Sequence, residues 1–146
     1  MQHDQLSSLI QRLYTGLPNG AEDMLDPRTS FRDPVVIVKG RGAVLAMFQK
    51  LNRMFPCTDV KQFLRIEEDE LRWHLSVQYG TKPNGRVHLF HTELEIEYTV
   101  DGKIMRITEH WLSPLNMRGN GQNPFLRMGR RFLGLGVGIG GSSREH

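Results

Sequence analysis

Three side chains in this sequence have the chemistry to move a proton from a fixed position: Asp33, Glu109 and Tyr14. Asp33 precedes Pro34 inside the run Thr29 to Gly42, TSFRDPVVIVKGRG, with β-forming residues on both sides. A carboxylate beside a proline, at a bend between two short strands, is held without joining a ladder, which suits a general acid or base. The same pair is also an ordinary turn former. Glu109 falls on the apolar face of the last predicted strand, with Leu94, Ile107, Trp111 and, further across, Leu75. A lone carboxylate there must be protonated, paired or hydrated, and burial raises its pKa, as a general acid requires. The structural alternative ties it to a backbone amide, to Arg32 or to Arg41. Tyr14 offers either a hydrogen-bond donor or plain packing. Asp33 and Glu109 together would form a two-carboxylate site that divides acid and base roles.

Trp73, Phe90, Tyr98 and Trp111 share the inner face and are read as a substrate-binding wall; in a hollow fold, core and pocket lining are one surface. The histidines do not converge. His74, His91 and His110 point outward, and His88 is inward near a strand end. Cys57 has no histidine in sequence reach, and no Cys/His grouping has zinc spacing. Neither a metal nor a cofactor is expected.

The elements that must position these residues are legible from periodicity. Asp4 to Leu17 is a helix with Leu6, Leu9, Ile10, Leu13 and Leu17 in one stripe and Tyr14 at its edge, stopped by Leu17-Pro18-Asn19-Gly20. Ala21 to Leu25 reads as a short helical stretch ended by Asp26-Pro27, and Thr29 to Lys39 as two short strands broken at Asp33-Pro34. Gly40 to Phe55 is a second helix burying Val44, Leu45, Phe48, Leu51 and Phe55. Four strands follow: Thr58 to Glu67, Leu71 to Gly80, Arg86 to Val100 and Lys103 to Leu115.

Register comes from two turn signals, Asn84-Gly85 and Asp101-Gly102, each taken as a two-residue hairpin loop. The second places Tyr98 opposite Met105, Ile96 opposite Ile107, Leu94 opposite Glu109 and Thr92 opposite Trp111. The first places Tyr79 opposite Phe90, Val77 opposite Thr92, Leu75 opposite Leu94 and Trp73 opposite Ile96. Both agree on which face is apolar, and a one-residue slip would destroy that agreement. The outer face then aligns Arg72–Glu97–Arg106, His74–Glu95–Thr108 and Ser76–Glu93–His110.

Composition narrows the class. A chain of 146 residues, 38% hydrophobic and 24% charged, is one soluble domain with a real core. No apolar run approaches the ~18 residues of a membrane span. The N-terminus has no secretory pattern, and one cysteine fits a reducing cytoplasm. Residues 1–116 carry a net charge of −1 and residues 117–146 a net +4. The body is therefore no nucleic-acid binder. Residues 117–146 read as a basic, Gly-rich, partly disordered tail, with a short amphipathic helix over 123–133. Tail contact with an acidic lipid surface is the lesser alternative to a solubilising end.

The order of elements over residues 4–115, and Phe31-Arg32-Asp33-Pro34 followed by Gly40-Arg41-Gly42 and a helix, resembles the NTF2-like superfamily, in particular SnoaL-like cyclases and ketosteroid isomerases. The resemblance implies an α+β fold in which a cone-shaped, curved antiparallel sheet wraps around helices (an NTF2-like or cystatin-like roll). It also implies a pocket for a small apolar molecule, and a homodimer formed through the sheet. Asp33 matches the isomerase general base. The oxyanion-hole tyrosine position falls at Leu13, with Tyr14 beside it, and the second oxyanion donor falls at Leu94. Those departures count against steroid-isomerase chemistry. The expected function is a cofactor-free isomerase, cyclase or dehydratase using Asp33 and Glu109; the alternative is a non-catalytic ligand-binding or dimerisation module of the same fold.

Overall fold

The structure, a computed structural model, describes residues 3–16, 20–66 and 70–112. The expected helix stop over 17–19, part of the acidic turn over 67–69 and the whole tail lie outside the described residues.

Helix α1, His3–Thr15, buries Leu6, Leu9, Ile10, Leu13 and also Tyr14. It ends at Gly16, whose φ of 82° is left-handed and favours glycine. The Asn52 side chain caps the end by donating to the Thr15 carbonyl at 2.7 Å. Helix α2, Arg41–Met54, follows Gly40 and buries Val44, Met47, Phe48 and Leu51. Met47 takes the core place expected for Leu45. The stripe runs 44, 47, 48, 51, so Leu45 and Phe55 lie at its margin, partly buried.

Six strands form one sheet: β1 Leu25–Arg32, β2 Ile37–Lys39, β3 Asp59–Arg65, β4 Arg72–Gly80, β5 Val87–Tyr98 and β6 Ile104–Trp111. Their order across the sheet is β2-β1-β6-β5-β4-β3. All neighbouring pairs are antiparallel except β1 and β6, which run parallel. The fully antiparallel expectation is corrected at that one seam.

Strand β1 starts earlier than its sequence indicates and contains Asp26-Pro27, while the helical turn before it is a 3-10 turn over Ala21–Met24. Pro27 falls in the bulge where the β1–β6 register shifts between Leu25 and Ser30, so its missing N–H removes no ladder bond. Further bulges interrupt β3 at Lys61, between Val60 and Gln62, and β6 at Met105, opposite Glu97 and Tyr98. Each bulge bends its strand and helps curve the sheet around α1 and α2.

The β5–β6 register is as expected from Thr92↔Trp111 to Ile96↔Ile107, through two departures that cancel. The loop has three residues, Val100 to Gly102, closed by Thr99 N–H to Lys103 O at 2.7 Å, with Gly102 at φ 84°. Met105 is then skipped, so Tyr98 pairs with Ile104 and Glu97 with Arg106. The β4–β5 register differs by two residues: Trp73 faces Leu94, Leu75 faces Thr92, Val77 faces Phe90 and Tyr79 faces His88. In a two-residue Asn84-Gly85 loop, Pro83 would stand opposite Arg86 with no N–H to give. The chain instead turns over Lys82 to Gly85, with Gly85 N–H to Lys82 O at 3.1 Å. A shift of two keeps every side chain on its face.

That parity carries the core. Leu75, Leu94, Ile96 and Ile107 are at most 1% exposed, and burying each contributes about 1.5–3 kcal/mol. The outer partners of β4 change accordingly, while Arg106 keeps the expected Glu97. Arg72 bonds Glu93 at 2.6 Å and reaches Glu95 at 3.7 Å, Arg106 meets Glu97 at 3.0 Å, and His110 meets Glu95 at 3.4 Å. These partly exposed pairs contribute about 0–1 kcal/mol each.

Gly16 and Gly102 separate two costs. A Cβ on Gly102 meets nothing, whereas one on Gly16 would lie 2.2 Å from Asn52 Cγ. Gly102→Ala should lose about 1–2 kcal/mol from its left-handed backbone alone. Gly16→Ala should lose clearly more, because Asn52 must also leave the Thr15 carbonyl. Urea denaturation of both variants checks the order.

Candidate active site

Asp33 closes β1. Its backbone N–H donates to Val36 O at 3.0 Å, and its Oδ1 accepts the N–H groups of Val35 and Val36, each at 2.8 Å. The turn role expected of Asp-Pro is therefore realised, and it also fixes the carboxyl. The parallel seam supplies the neighbour. The last registered pair is Arg32↔Thr108, so Asp33, at the turn that ends β1, comes next beside Glu109 of β6. Ile107, two residues back, is core, which places Glu109 on the inner side by strand alternation, and Asp33 lies close enough to act on the charge of Glu109 and of Tyr79.

Glu109 is 3% exposed. Its Oε2 accepts the Tyr14 hydroxyl at 2.6 Å, and its Oε1 accepts the Trp111 indole N–H at 3.1 Å. Neither arginine considered from sequence pairs with it. Arg32 is exposed on the outer face, and Arg41 donates to the carbonyls of Glu22 and Leu25. Glu109 is thus a neutral-donor carboxyl, with no cation paired to it among the described residues.

Titration follows from this environment. Burial pushes Asp33 up to about 6, against the pull of its two backbone N–H donors. Burial and then the charge of Asp33 push Glu109 up to about 7, against the Tyr14 and Trp111 hydrogen bonds. The carboxyl that ionises first raises the second. Tyr14 is raised well above its ordinary value, chiefly by burial and then by Glu109, so it stays a donor. Tyr79 is raised well above its ordinary value by burial, then by Glu109 and Asp33. It belongs to the same electrostatic cluster and was missed as a site residue, although its inward parity on β4 was readable.

The aromatic residues divide. Trp111 is bonded to Glu109, and Phe90 meets its ring edge-on at 5.7 Å. Trp73 stacks on Phe63 at 4.6 Å with His3 5.2 Å away. Tyr98 is partly buried near the bulge. A cavity of about 810 Å³ is bordered by both Asp33 and Glu109, and by none of these four aromatic residues. Its other walls include Ser30, Arg32, Lys39, Glu95, Glu97, Arg106 and Thr108, which alternation puts on the outer face of the sheet. Pro34, Val35, Val36 and Ile37 complete the wall, so the lining mixes charged and apolar groups. His91 Nδ1 bonds Ser76 Oγ at 2.7 Å, and no three His, Cys, Asp or Glu side chains are grouped to hold a metal among the described residues. No helix among them is long and apolar enough to cross a membrane.

No sequence-family model matches the chain, and no curated protein sequence does. Solved structures do. An NTF2-like protein from Anabaena variabilis ATCC 29413 superposes with a TM-score of 0.62 at 17% identity, over 75% of this chain and 86% of that one. A steroid delta-isomerase from Pseudomonas aeruginosa gives 0.56 at 17% identity, over 89% and 90%. The epoxide hydrolase/cyclase-like enzyme SalBIII, of pyran ring formation in the polyether salinomycin, gives 0.55 at 17% identity, over 77% and 95%. At these identities the likeness establishes the fold. The chain has the NTF2-like fold, an α+β cone of curved sheet and helices.

The raised carboxyls fix a pH dependence. Their folded values, about 6 and about 7, lie above the ordinary 3.8 and 4.5. Between those limits the folded chain keeps protons that the unfolded chain has released, so stability falls as pH rises. The pair's contribution is fully present below the ordinary values and is lost as pH passes through about 6 and about 7. Urea unfolding across this range should show that decline, and Asp33→Asn with Glu109→Gln should flatten it. Tyr14→Phe should cost about 1–3 kcal/mol by stranding a buried oxygen of Glu109.

Proposed function

We propose that the protein is a cofactor-free proton-transfer enzyme acting on a small, largely apolar ring molecule, by isomerisation, cyclisation or dehydration. The observation that carries this reading is the adjacency of Asp33 and Glu109 at the β1–β6 seam, with both titrations raised toward neutrality. Near neutral pH ionised Asp33 removes a proton from carbon, and protonated Glu109 delivers one to the developing oxyanion or to a leaving hydroxyl. Tyr14 stays bonded to Glu109 and spreads the charge that Glu109 acquires. Two superposable structures bear enzyme names, a steroid delta-isomerase and an epoxide hydrolase/cyclase-like enzyme. Leu94, fully buried, occupies the position matched to the isomerases' second acid, so the oxyanion must be met by the Glu109–Tyr14 pair.

A second reading, a non-catalytic binding or dimerisation module, draws on the depression of charged and apolar groups across the outer face of β1, β6 and β5. There the sheet would meet a second copy of the chain, and the mass in solution reports it.

A thermal-shift screen of apolar ring compounds, followed by a turnover assay on those that bind, tests the first reading. Asp33→Asn should lower turnover about 10²–10⁴-fold. The Asn side-chain oxygen can still accept the Val35 and Val36 N–H groups, so the melting temperature should stay within a few degrees. Unchanged turnover in Asp33→Asn, or binding without turnover for every compound, would remove the enzymatic reading.

A further inference from the structure

Glu109 is gripped at both oxygens, and only one grip has a part in the chemistry above. The other is the indole of Trp111, two residues on along β6 and therefore on the same inner face. Trp111 is itself well held. Thr92 stands opposite it on β5, and Phe90 packs edge-on at an interplanar angle of 85°. An indole N–H only donates, so it cannot adapt to a proton on the oxygen it faces. It therefore bonds the charged carboxylate better than the neutral acid. Donors from two separate elements, α1 and β6, also fix the carboxyl plane, which one donor alone would leave free to rotate.

We infer that Trp111 is a positioning residue, whose indole N–H holds the carboxyl plane of Glu109 and favours its charged form. Sequence parity makes Trp111 a piece of apolar wall; the geometry makes it a partner of the acid. The titratable groups facing Glu109 are Tyr14 from α1, Asp33 from the end of β1 and Tyr79 from β4. All three are acids, so none stabilises the charge on Glu109 as a cation would. The indole offsets part of the penalty that burial and Asp33 impose. Its role in turnover rests on the acid–base reading of the site, but its hold on the carboxyl does not.

Fluorine NMR of the intact chain labelled with fluorotryptophan tests this without a substrate. The sequence has two tryptophans, so two resonances are expected, assigned with Trp111→Phe. The Trp111 resonance should move across neutral pH with the titration of Glu109, and Glu109→Gln should abolish the movement. A Trp111 resonance that is flat with pH, or that keeps its midpoint in Glu109→Gln, overturns the inference. In Trp111→Phe, which retains an aromatic ring, the Glu109 midpoint read from its infrared carbonyl band should rise by about one pH unit. An unchanged midpoint also overturns it. A titrating Trp111 in a protein that turns nothing over would support the hold and remove only the enzymatic reading.

Discussion

A carboxyl cannot lie dry among leucine and isoleucine side chains without partners, and Glu109 has found two that carry no charge. The hydroxyl of Tyr14 reaches it from α1 at 2.6 Å, and the indole of Trp111 from its own strand at 3.1 Å. The first bond links residues 95 apart in sequence, so it ties the first helix to the last strand. An arginine in place of these donors would have fixed Glu109 as a permanent anion. Neutral donors leave burial in command, and the carboxyl titrates near neutrality.

The rest of the sheet serves that placement. Strand β1 returns parallel to β6, and its ladder ends one residue short of Asp33 and Glu109. The Asp33 turn then folds back on its own side-chain oxygen, so the carboxyl is fixed where the strand stops. Two acids brought side by side, Glu109 buried and Asp33 half-buried, do not both ionise at their ordinary pH. Turn chemistry and acid–base chemistry are therefore compatible roles for Asp33: the backbone donors position the group, and burial outweighs them in setting its titration.

Much of this was legible in the sequence because strand alternation is binary. Glu109 could be placed inside from parity alone, and a loop one residue longer than expected did no harm once Met105 was skipped. The β4–β5 error of two residues likewise kept each face but changed the partners, since Pro83 could not serve as a pairing residue. The parallel β1–β6 seam was not readable, because it joins segments far apart in the chain with no turn between them to set a register. The Trp111 bond was hidden for a different reason: periodicity reports which face a tryptophan takes, not where its N–H points. The fold resemblance carried by Asp33-Pro34 and by Gly40 and Gly42 at the start of α2 agrees with the superposed structures, while the depression of mixed lining beside the two acids had no signal in the apolar pattern.

Carbon-13 NMR of the side-chain carboxyls, with labelled aspartate and glutamate, tests most directly whether these two acids form one site. The account predicts an Asp33 midpoint near about 6 and a Glu109 midpoint near about 7, with the Glu109 midpoint falling when Asp33→Asn removes the neighbouring charge. Two carboxyls that titrate independently near their ordinary values, each indifferent to the other's neutralisation, would contradict it.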